Sequence, residues 1–229
     1  MENNLIIILP VFNEGQTINA LVDDISVHVT KHIKDFEIII VDDGSKDNTP
    51  SIIKDMAKSL PYLKIVTHEG NKGYGYAIKS GITASKMDWI FIMDADGQFR
   101  IDAFENFWKN KQDNDFILGY RAKRNDNFYR FILGRIGNWL SNVILKKKIR
   151  DINCGFKLFK KNDLSPLTLF STGGLINFEI LHLLFKSKEN YRFLQLPVIH
   201  YPRTQGKQTG GGIKTIGKII SEGIQLIVR

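Results

Sequence analysis

Four short runs rich in apolar residues, separated by stretches with helical spacing, constrain the fold of this chain more than any other feature. The runs are residues 5–9, 37–41, 63–67 and 89–93. The first is apolar at every position, which is typical of a strand buried on both faces of a sheet. The intervening stretches with helical spacing are residues 14–34, 49–60 and 76–85. This alternation predicts an α/β fold with a mostly parallel, Rossmann-like sheet flanked by helices.

Polar residues lie at the carboxyl ends of three of these predicted strands. They are Asn13-Glu14, Asp42-Asp43-Gly44-Ser45 and Asp94-Ala95-Asp96. In sheets of this kind ligands bind beyond the carboxyl ends of the strands. The three segments are therefore the candidate site.

Asp94 and Asp96 are spaced to point the same way on an extended chain. Carboxylate oxygens suit Mg²⁺ or Mn²⁺, and such ions usually also bind substrate phosphates. Gln98 adds a neutral oxygen two residues later. The alternative is a solvated acidic turn, which is common after strands, and the Asp-x-Asp pattern alone does not exclude it.

The Asp42-Asp43 pair allows two interpretations. An acidic residue beyond a strand can accept hydrogen bonds from a nucleobase N–H or a ribose hydroxyl. It can also form an Asx-turn or cap the next helix. Asp47 and Asn48 are better placed to cap the helix that begins near residue 49. Capping therefore leaves the pair unexplained.

The glycine-containing segment 71–77 opens a predicted helix and could approach a phosphate or a sugar closely. It lacks the third glycine of the G-x-G-x-x-G pattern, and the chain has no P-loop lysine pattern. Both absences argue against a dinucleotide enzyme and a P-loop ATPase.

Taken together, these segments resemble the family 2 glycosyltransferases, which have the GT-A fold. The matching stretches, which include Gly119-Tyr120-Arg121, come in the family's order over residues 5–205. The resemblance implies transfer of a sugar from a UDP- or GDP-hexose. It implies a nucleoside pocket lined by Pro10, Phe12, Glu14 and Asp43, with Asp42 beside them. It places Mg²⁺ or Mn²⁺ and the diphosphate at Asp94, Asp96 and Gln98, with Ala95 and Arg121 as further substrate-binding candidates.

The second half of the chain resembles the polyprenyl-phosphate branch of that family, whose members make mannosyl- or glucosyl-phosphoryl lipids. The similarity is carried by segments 150–159 and 200–207. It implies that Arg150 and an upstream arginine, Arg135 rather than Arg130, hold the acceptor phosphate. It implies that Arg203 contacts the donor diphosphate. Lys207 is the nearest substitute for a lysine that the mannose synthases carry where this chain has Thr209.

The chemistry separates two acceptor classes. A phosphate acceptor is already anionic, so positioning and charge stabilisation carry most of the rate. Asp96, Arg135, Arg150 and Arg203 are the catalytic candidates for that reaction. A glycan hydroxyl acceptor needs a carboxylate base instead, for which Glu179 is the candidate unless it is a structural helix residue. Either reaction is expected to be a single displacement with inversion.

Two later segments have the pattern of amphipathic helices with basic flanks. For residues 128–148 ordinary core packing and a surface role both remain open. Residues 213–229 follow three glycines, Gly210-Gly211-Gly212, and a membrane-surface role is favoured. The expected organisation is a catalytic domain over residues 1–205 and a linker with a membrane-associated helix over residues 206–229.

Charge and composition set the expected location and partners. The net charge is +8 with a pI of about 9.4, which suits nucleic acid, anionic lipid or phosphorylated substrates. No recognised nucleic-acid motif is present, so no nucleic-acid partner is expected. A single cysteine, no signal peptide and no spanning segment predict a cytoplasmic protein, peripheral on the membrane's cytoplasmic face. The amphipathic helices or an integral membrane partner would then provide docking, unless the acceptor is not a lipid.

Overall fold

The computed structural model describes residues 4–123, 128–188 and 190–203. Strands and helices alternate through the first half, as the sequence predicts. The strands are β1 (Asn4–Val11), β2 (Asp35–Asp42), β3 (Leu63–Thr67), β4 (Trp89–Met93), β5 (Phe116–Lys123), β6 (Phe156–Lys160) and β7 (Phe193–Ile199). The helices are α1 (Ile18–Val29), α2 (Thr49–Ser59), α3 (Tyr74–Ala84), α4 (Phe104–Lys109), α5 (Phe128–Leu145), α6 (Lys161–Leu164) and α7 (Ile176–Ser187).

The seven strands form one sheet in the order β3-β2-β1-β4-β6-β5-β7. The pairs β1–β2, β2–β3, β1–β4 and β5–β7 are parallel. β6 lies between β4 and β5 and runs antiparallel to both. The sheet therefore confirms the predicted mostly parallel α/β architecture and adds one antiparallel strand, β6, in its interior.

Both faces of the sheet are covered, which explains the unbroken apolar runs. In β1, Leu5, Ile7 and Leu9 pack on one face with helices α1, α2 and α4. Ile6 and Ile8 point to the other face, where α3 and α7 pack. Every one of these five side chains is fully buried. A strand that is buried on both sides has no position for a polar residue until it leaves the sheet.

The strand order reverses between β1 and β4. From β1 the chain builds β2 and β3 on one side, and β4 then returns to the other side of β1. The connections at this point diverge and leave a crevice at the carboxyl ends of the two strands. Asn13 and Glu14 follow β1, and Asp94 and Asp96 follow β4. The fold therefore delivers the predicted acidic residues to one place.

Helix α5 departs from the core-packing alternative. It ends at Leu145 rather than at residue 148, and the described part of its apolar stripe, from Ile136 to Ile144, points to solvent. Trp139 is 64% exposed and Val143 is 58% exposed, so core packing is wrong for this stripe. None of the helices in the described ranges is both long and apolar enough to cross a bilayer. Residues 206–229 lie outside the described part of the chain.

Candidate active site

Asn13 fastens the end of β1 to the loop that follows β2. Its backbone adopts a left-handed conformation with φ of 58°, which asparagine tolerates better than most residues. Its backbone N–H donates to Ser45 Oγ at 2.9 Å, and its Oδ1 accepts from the N–H of Lys46 at 2.7 Å. The two loops that would form a nucleoside pocket are therefore held in one arrangement.

The two aspartates at the end of β2 have different surroundings. Asp43 accepts hydrogen bonds from the backbone N–H groups of Lys72 and Gly73 at 2.8 and 2.7 Å. It also accepts from Nδ1 of His68 at 2.7 Å, and His68 Nε2 lies 2.9 Å from Ser80 Oγ. The carboxylate of Asp43 is thus occupied in shaping the turn before α3.

Asp42 is the aspartate of the pair whose carboxylate has an oxygen that accepts no hydrogen bond from the described residues. Its Oδ1 accepts from the N–H of Ser45 at 2.9 Å, while its Oδ2 is buried and has no hydrogen-bond partner among the described residues. A buried acceptor without a donor is costly and therefore rare. Helix capping is not its role, since Asp47 accepts from the N–H of Thr49 at the start of α2.

Asp94 is held tightly at the end of β4. Its Oδ1 accepts from the Tyr74 hydroxyl at 2.8 Å, and its N–H donates to the carbonyl of Gly155 at 3.0 Å. A Cβ atom at position 155 would lie 1.9 Å from Asp94 Oδ2, so only glycine fits against this carboxylate. Burial and repulsion from Asp96 raise the pKa of Asp94 to about 6.

Asp96 and Glu14 share a single cation, Arg203. The guanidinium of Arg203 donates from Nη2 to Glu14 Oε1, and its Nη1 lies 3.6 Å from Asp96 Oδ2. Burial raises the pKa of Glu14, and Arg203 opposes this rise. Burial likewise raises the pKa of Asp96. The crevice therefore carries carboxylates whose charge is only partly balanced by the protein.

Two hydrogen bonds bring Arg203 to this crevice. The N–H of Tyr201 donates to the carbonyl of Gln98 at 2.8 Å, and the Gln98 side-chain amide donates back to the carbonyl of Tyr201 at 3.1 Å. This leaves the amide oxygen as the atom of Gln98 that could bind a cation. Thr17 connects the segment after β1 to the segment after β4, because its hydroxyl lies 3.3 Å from both Glu14 Oε2 and the carbonyl of Ala95.

The residues present fit a divalent cation with few protein ligands. Asp94 and Asp96 are hard oxygen donors whose mutual repulsion a cation would relieve. Within the described ranges no group of three or more histidine, cysteine, aspartate or glutamate side chains is arranged to hold a metal. Mg²⁺ and Mn²⁺ bound through one or two carboxylates normally take their remaining ligands from water and substrate phosphates.

A second region of interest lies beside helix α5. Arg135 and Arg150 line a pocket of about 470 Å³ together with Asn138, Trp139, Asn142 and Ile149. The guanidinium of Arg150 stacks over the ring of Tyr120, with its central carbon 3.7 Å from the ring centroid. The structure thus brings together the two arginines that the resemblance assigns to an acceptor phosphate.

The remaining predicted residues have varied surroundings. Arg121 forms a bidentate ion pair with Asp151, at 2.6 and 2.9 Å, so its fork is already engaged. Pro10 and Phe12 are partly exposed beside Asn13, whereas Ala95 is buried in the core. Lys207 and the side chain of Arg130 lie outside what the structure describes.

Four supporting residues escaped the sequence reasoning. His68 and Tyr74 hold Asp43 and Asp94, and Asp151 holds Arg121. Lys157 is fully buried near Asp94, and its ammonium donates to the Cys154 carbonyl and to Asn177 Oδ1. Tyr74, Asp151 and Lys157 lie in segments that the sequence singles out, but nothing in the sequence indicates their partners. His68 directly follows β3 and had no sequence signal.

Solved structures identify the fold. The structure resembles glucosyl-3-phosphoglycerate synthase from Mycobacterium tuberculosis in complex with Mn²⁺, uridine diphosphate and phosphoglyceric acid, with a TM-score of 0.72 and 17% identity. The match covers 99% of this chain and 78% of that one. The same synthase in complex with Mn²⁺ and UDP-glucose gives a TM-score of 0.70 at 17% identity and covers the same shares of the two chains. This chain therefore has the GT-A fold.

The family follows from the sequence. The model of glycosyl transferase family 2 matches residues 6–168. The chain belongs to this family. It is 31% identical over 173 residues to a dolichyl-phosphate beta-glucosyltransferase of Trichomonas vaginalis, which covers 67% of this chain and 51% of that protein. The corresponding enzyme of Dictyostelium discoideum is 29% identical over 200 residues, covering 78% of this chain and 61% of that protein. The chain thus spans about half to three fifths of these relatives.

Proposed function

We propose that this glycosyltransferase moves a hexose from a UDP- or GDP-hexose to a polyprenyl phosphate, with inversion at the anomeric carbon. The observation that carries the proposal is the pocket shared by Arg135 and Arg150. Two guanidinium groups in an open pocket suit a phosphate monoester, because each presents parallel N–H donors to its oxygens.

The alternative acceptor, a glycan hydroxyl, needs a base that this chain does not offer at Glu179. Glu179 is fully buried on α7. Its two oxygens accept from the backbone N–H groups of Phe170 and Ser171 at 2.7 and 2.8 Å. A carboxylate engaged in this way supports a loop and is not positioned to take a proton from an incoming hydroxyl. The phosphate acceptor is therefore favoured.

The crevice between β1 and β4 is the proposed donor site. The unpartnered Oδ2 of Asp42 is the acceptor offered to a base N–H or a ribose hydroxyl, with Pro10, Phe12 and Glu14 nearby. Asp94, Asp96 and Gln98 would hold Mg²⁺ or Mn²⁺, which would supply charge neutralisation for the departing nucleoside diphosphate. Arg203 is the protein's own cation for that diphosphate.

The proposed chemistry is a single displacement. The acceptor phosphate, held by Arg135 and Arg150, attacks the anomeric carbon on the face opposite the diphosphate. The C–O bond to the diphosphate breaks as the new one forms, which inverts the configuration. The attacking oxygen is anionic at neutral pH, so no general base is required and orientation supplies most of the acceleration.

The relatives support the acceptor and the place of action. Both are named as dolichyl-phosphate glucosyltransferases, so UDP-glucose is the first donor to test. A lipid-borne acceptor places the reaction at a membrane surface, which we propose is the cytoplasmic face. Because this chain spans about half to three fifths of those proteins, an integral membrane partner or segment remains part of the proposal.

The test is transfer from a panel of UDP- and GDP-hexoses, with Mn²⁺ or Mg²⁺, to a short polyprenyl phosphate. Arg135→Ala and Arg150→Ala should each lower kcat/KM for the acceptor about 10- to 100-fold, as expected for losing a charge-assisted contact. Hydrolysis of the donor should change little. Arg192→Ala is the matched control, since this exposed arginine directly precedes the first residue of β7 and does not line the pocket.

Two results would contradict the proposal. One is a chain that transfers sugar only to a hydroxyl acceptor and loses that activity in Glu179→Gln. The other is a product that retains the anomeric configuration of the donor. Thermal unfolding of each variant shows whether a loss of activity reflects a loss of the fold.

A further inference from the structure

Helix α5 is amphipathic, but its apolar side faces solvent instead of the protein core. The exposed large apolar residues of α5 are spaced to form one stripe. They account for most of the exposed large apolar side chains in the described part of the chain. They are Ile136, Trp139, Leu140, Val143 and Ile144, between 42% and 64% exposed. Exposed apolar surface of this extent marks a docking site rather than ordinary solvent-facing helix.

The opposite face of α5 is fixed to the protein by its asparagines. Asn142 donates to the carbonyl of Ile149 at 2.8 Å and accepts from the N–H of Ile149 at 2.9 Å. Asn138 donates to the same carbonyl at 2.8 Å and accepts from the N–H of Ile152 at 2.9 Å. Rotation of the helix to bury its apolar stripe would break these four hydrogen bonds. The outward orientation is therefore built into the fold.

The charges around the stripe point to an anionic partner. No acidic residue occurs between positions 128 and 150. The basic side chains of the surrounding surface are Arg135, Lys146, Lys147, Lys148 and Arg150. A second copy of the chain, packed through the same face, would bring these charges against each other. An anionic bilayer would instead neutralise them while accepting the apolar residues.

We propose that α5 lies in the headgroup region of an anionic phospholipid bilayer and that the pocket of Arg135 and Arg150 opens at the same level. Trp139 connects the two features, because it both lines the pocket and stands on the exposed stripe. Tryptophan favours the boundary between headgroups and acyl chains. The assignment of that pocket to an acceptor phosphate rests on the proposed function, whereas the docking does not.

Trp139 supplies the probe for the test. The chain has three tryptophans, and Trp89 and Trp108 are only 3% and 8% exposed. Binding of the full chain to vesicles with anionic phospholipid should shift its emission to shorter wavelength, and brominated lipids should quench it. Trp139→Phe should still sediment with the vesicles and lose the quenching.

The variant that tests the surface is Leu140→Glu/Val143→Glu, which leaves the pocket lining intact. Vesicle binding should fall about 10-fold or more, since two charges are forced against the apolar region. Lys146→Glu/Lys148→Glu should weaken binding to anionic vesicles in particular. The matched control is Val27→Glu on α1, where the wild-type side chain is 56% exposed.

Failure of the docking and failure of the proposed function give different results. Leu140→Glu/Val143→Glu should keep transfer to a short, water-soluble prenyl phosphate and lose transfer to a long-chain acceptor in vesicles. Unchanged vesicle binding in this variant would overturn the docking proposal. So would a wild-type dimer that the same substitutions convert to a monomer. A wild-type chain that binds vesicles but transfers sugar to neither acceptor would refute only the proposed function.

Discussion

The hydroxyl of Tyr74 donates a hydrogen bond to Oδ1 of Asp94 at 2.8 Å. This contact joins the first residue of α3 to the carboxylate that ends β4. Burial, together with the negative charge of Asp94, raises the pKa of Tyr74 well above its ordinary value. The hydroxyl therefore keeps its proton and remains a donor throughout the neutral range.

Tyr74→Phe is expected to weaken Mn²⁺ binding about 10-fold, because loss of a partner that orients a metal-binding carboxylate typically has this effect. Titration calorimetry in the presence of uridine diphosphate would measure the affinity. Tyr76→Phe is the matched control, since the Tyr76 ring packs against His68 and the hydrogen bond to Asp94 comes from Tyr74. Equal Mn²⁺ affinity in wild type and Tyr74→Phe would show that this hydrogen bond does not orient Asp94.

The two aspartates after β2 should respond differently to the same substitution. Asp43→Asn should lower the free energy of unfolding by about 1–3 kcal/mol, because it disturbs three hydrogen bonds to a buried carboxylate. Asp42→Asn should leave stability within about 0.5 kcal/mol and weaken nucleotide binding instead. Urea unfolding and nucleotide titration measure the two effects. The reverse pattern would exchange the roles given to the two side chains.

Gly155→Ala should be severe for a single methyl group. Its Cβ would lie 2.1 Å from Cγ of Asp94, so the carboxylate or the backbone must move. We expect a loss of about 1–3 kcal/mol in the free energy of unfolding together with weaker metal binding. Gly174→Ala is the control, since a Cβ there meets no atom within 4 Å. A Gly155→Ala protein as stable as the control would contradict this packing.

Cys154 should resist alkylation in the native protein. The thiol is buried, and burial raises its pKa to about 12. Because the native thiol holds its proton to higher pH than the unfolded one, this group favours folding below about pH 9 and loses that contribution between about pH 9 and 12. Iodoacetamide at pH 8 should therefore label Cys154 only after denaturation. Rapid labelling of the folded chain would show that the site opens.

Strands were the most predictable part of this fold. β4 has the bounds expected from its apolar run, because both faces of the strand are buried and the first polar residue comes where it leaves the sheet. α1 begins at Ile18 rather than at residue 14, because residues 14–17 form a turn. In that turn the carbonyl of Glu14 accepts hydrogen bonds from the N–H groups of Thr17 and Ile18. The antiparallel β6 was not foreseen, because a run of apolar residues does not reveal strand direction.

The apolar stripe of α5 shows the limit of periodicity. The spacing of apolar residues predicts that one side of a helix is shielded from water. It does not indicate whether the protein core or another partner covers that side. Here the deciding contacts are made by Asn138 and Asn142, whose backbone partners in the 149–152 turn could not be identified from the sequence. In the crevice the acidic residues were identifiable, whereas His68 and Tyr74, which support them, were not.

β6 lies between β4 and β5 in the sheet and so separates two parts of the molecule with different proposed tasks. On the β4 side, Asp94, Asp96 and Arg203 belong to the proposed donor crevice. On the β5 side, a later stretch, between Tyr120 and Ile152, builds the arginine pocket. The two parts adjoin at Gly155, directly before β6, whose carbonyl accepts from the N–H of Asp94. A natural or engineered exchange of the later stretch could thus redirect the sugar to a new recipient while the nucleotide it came from stays the same.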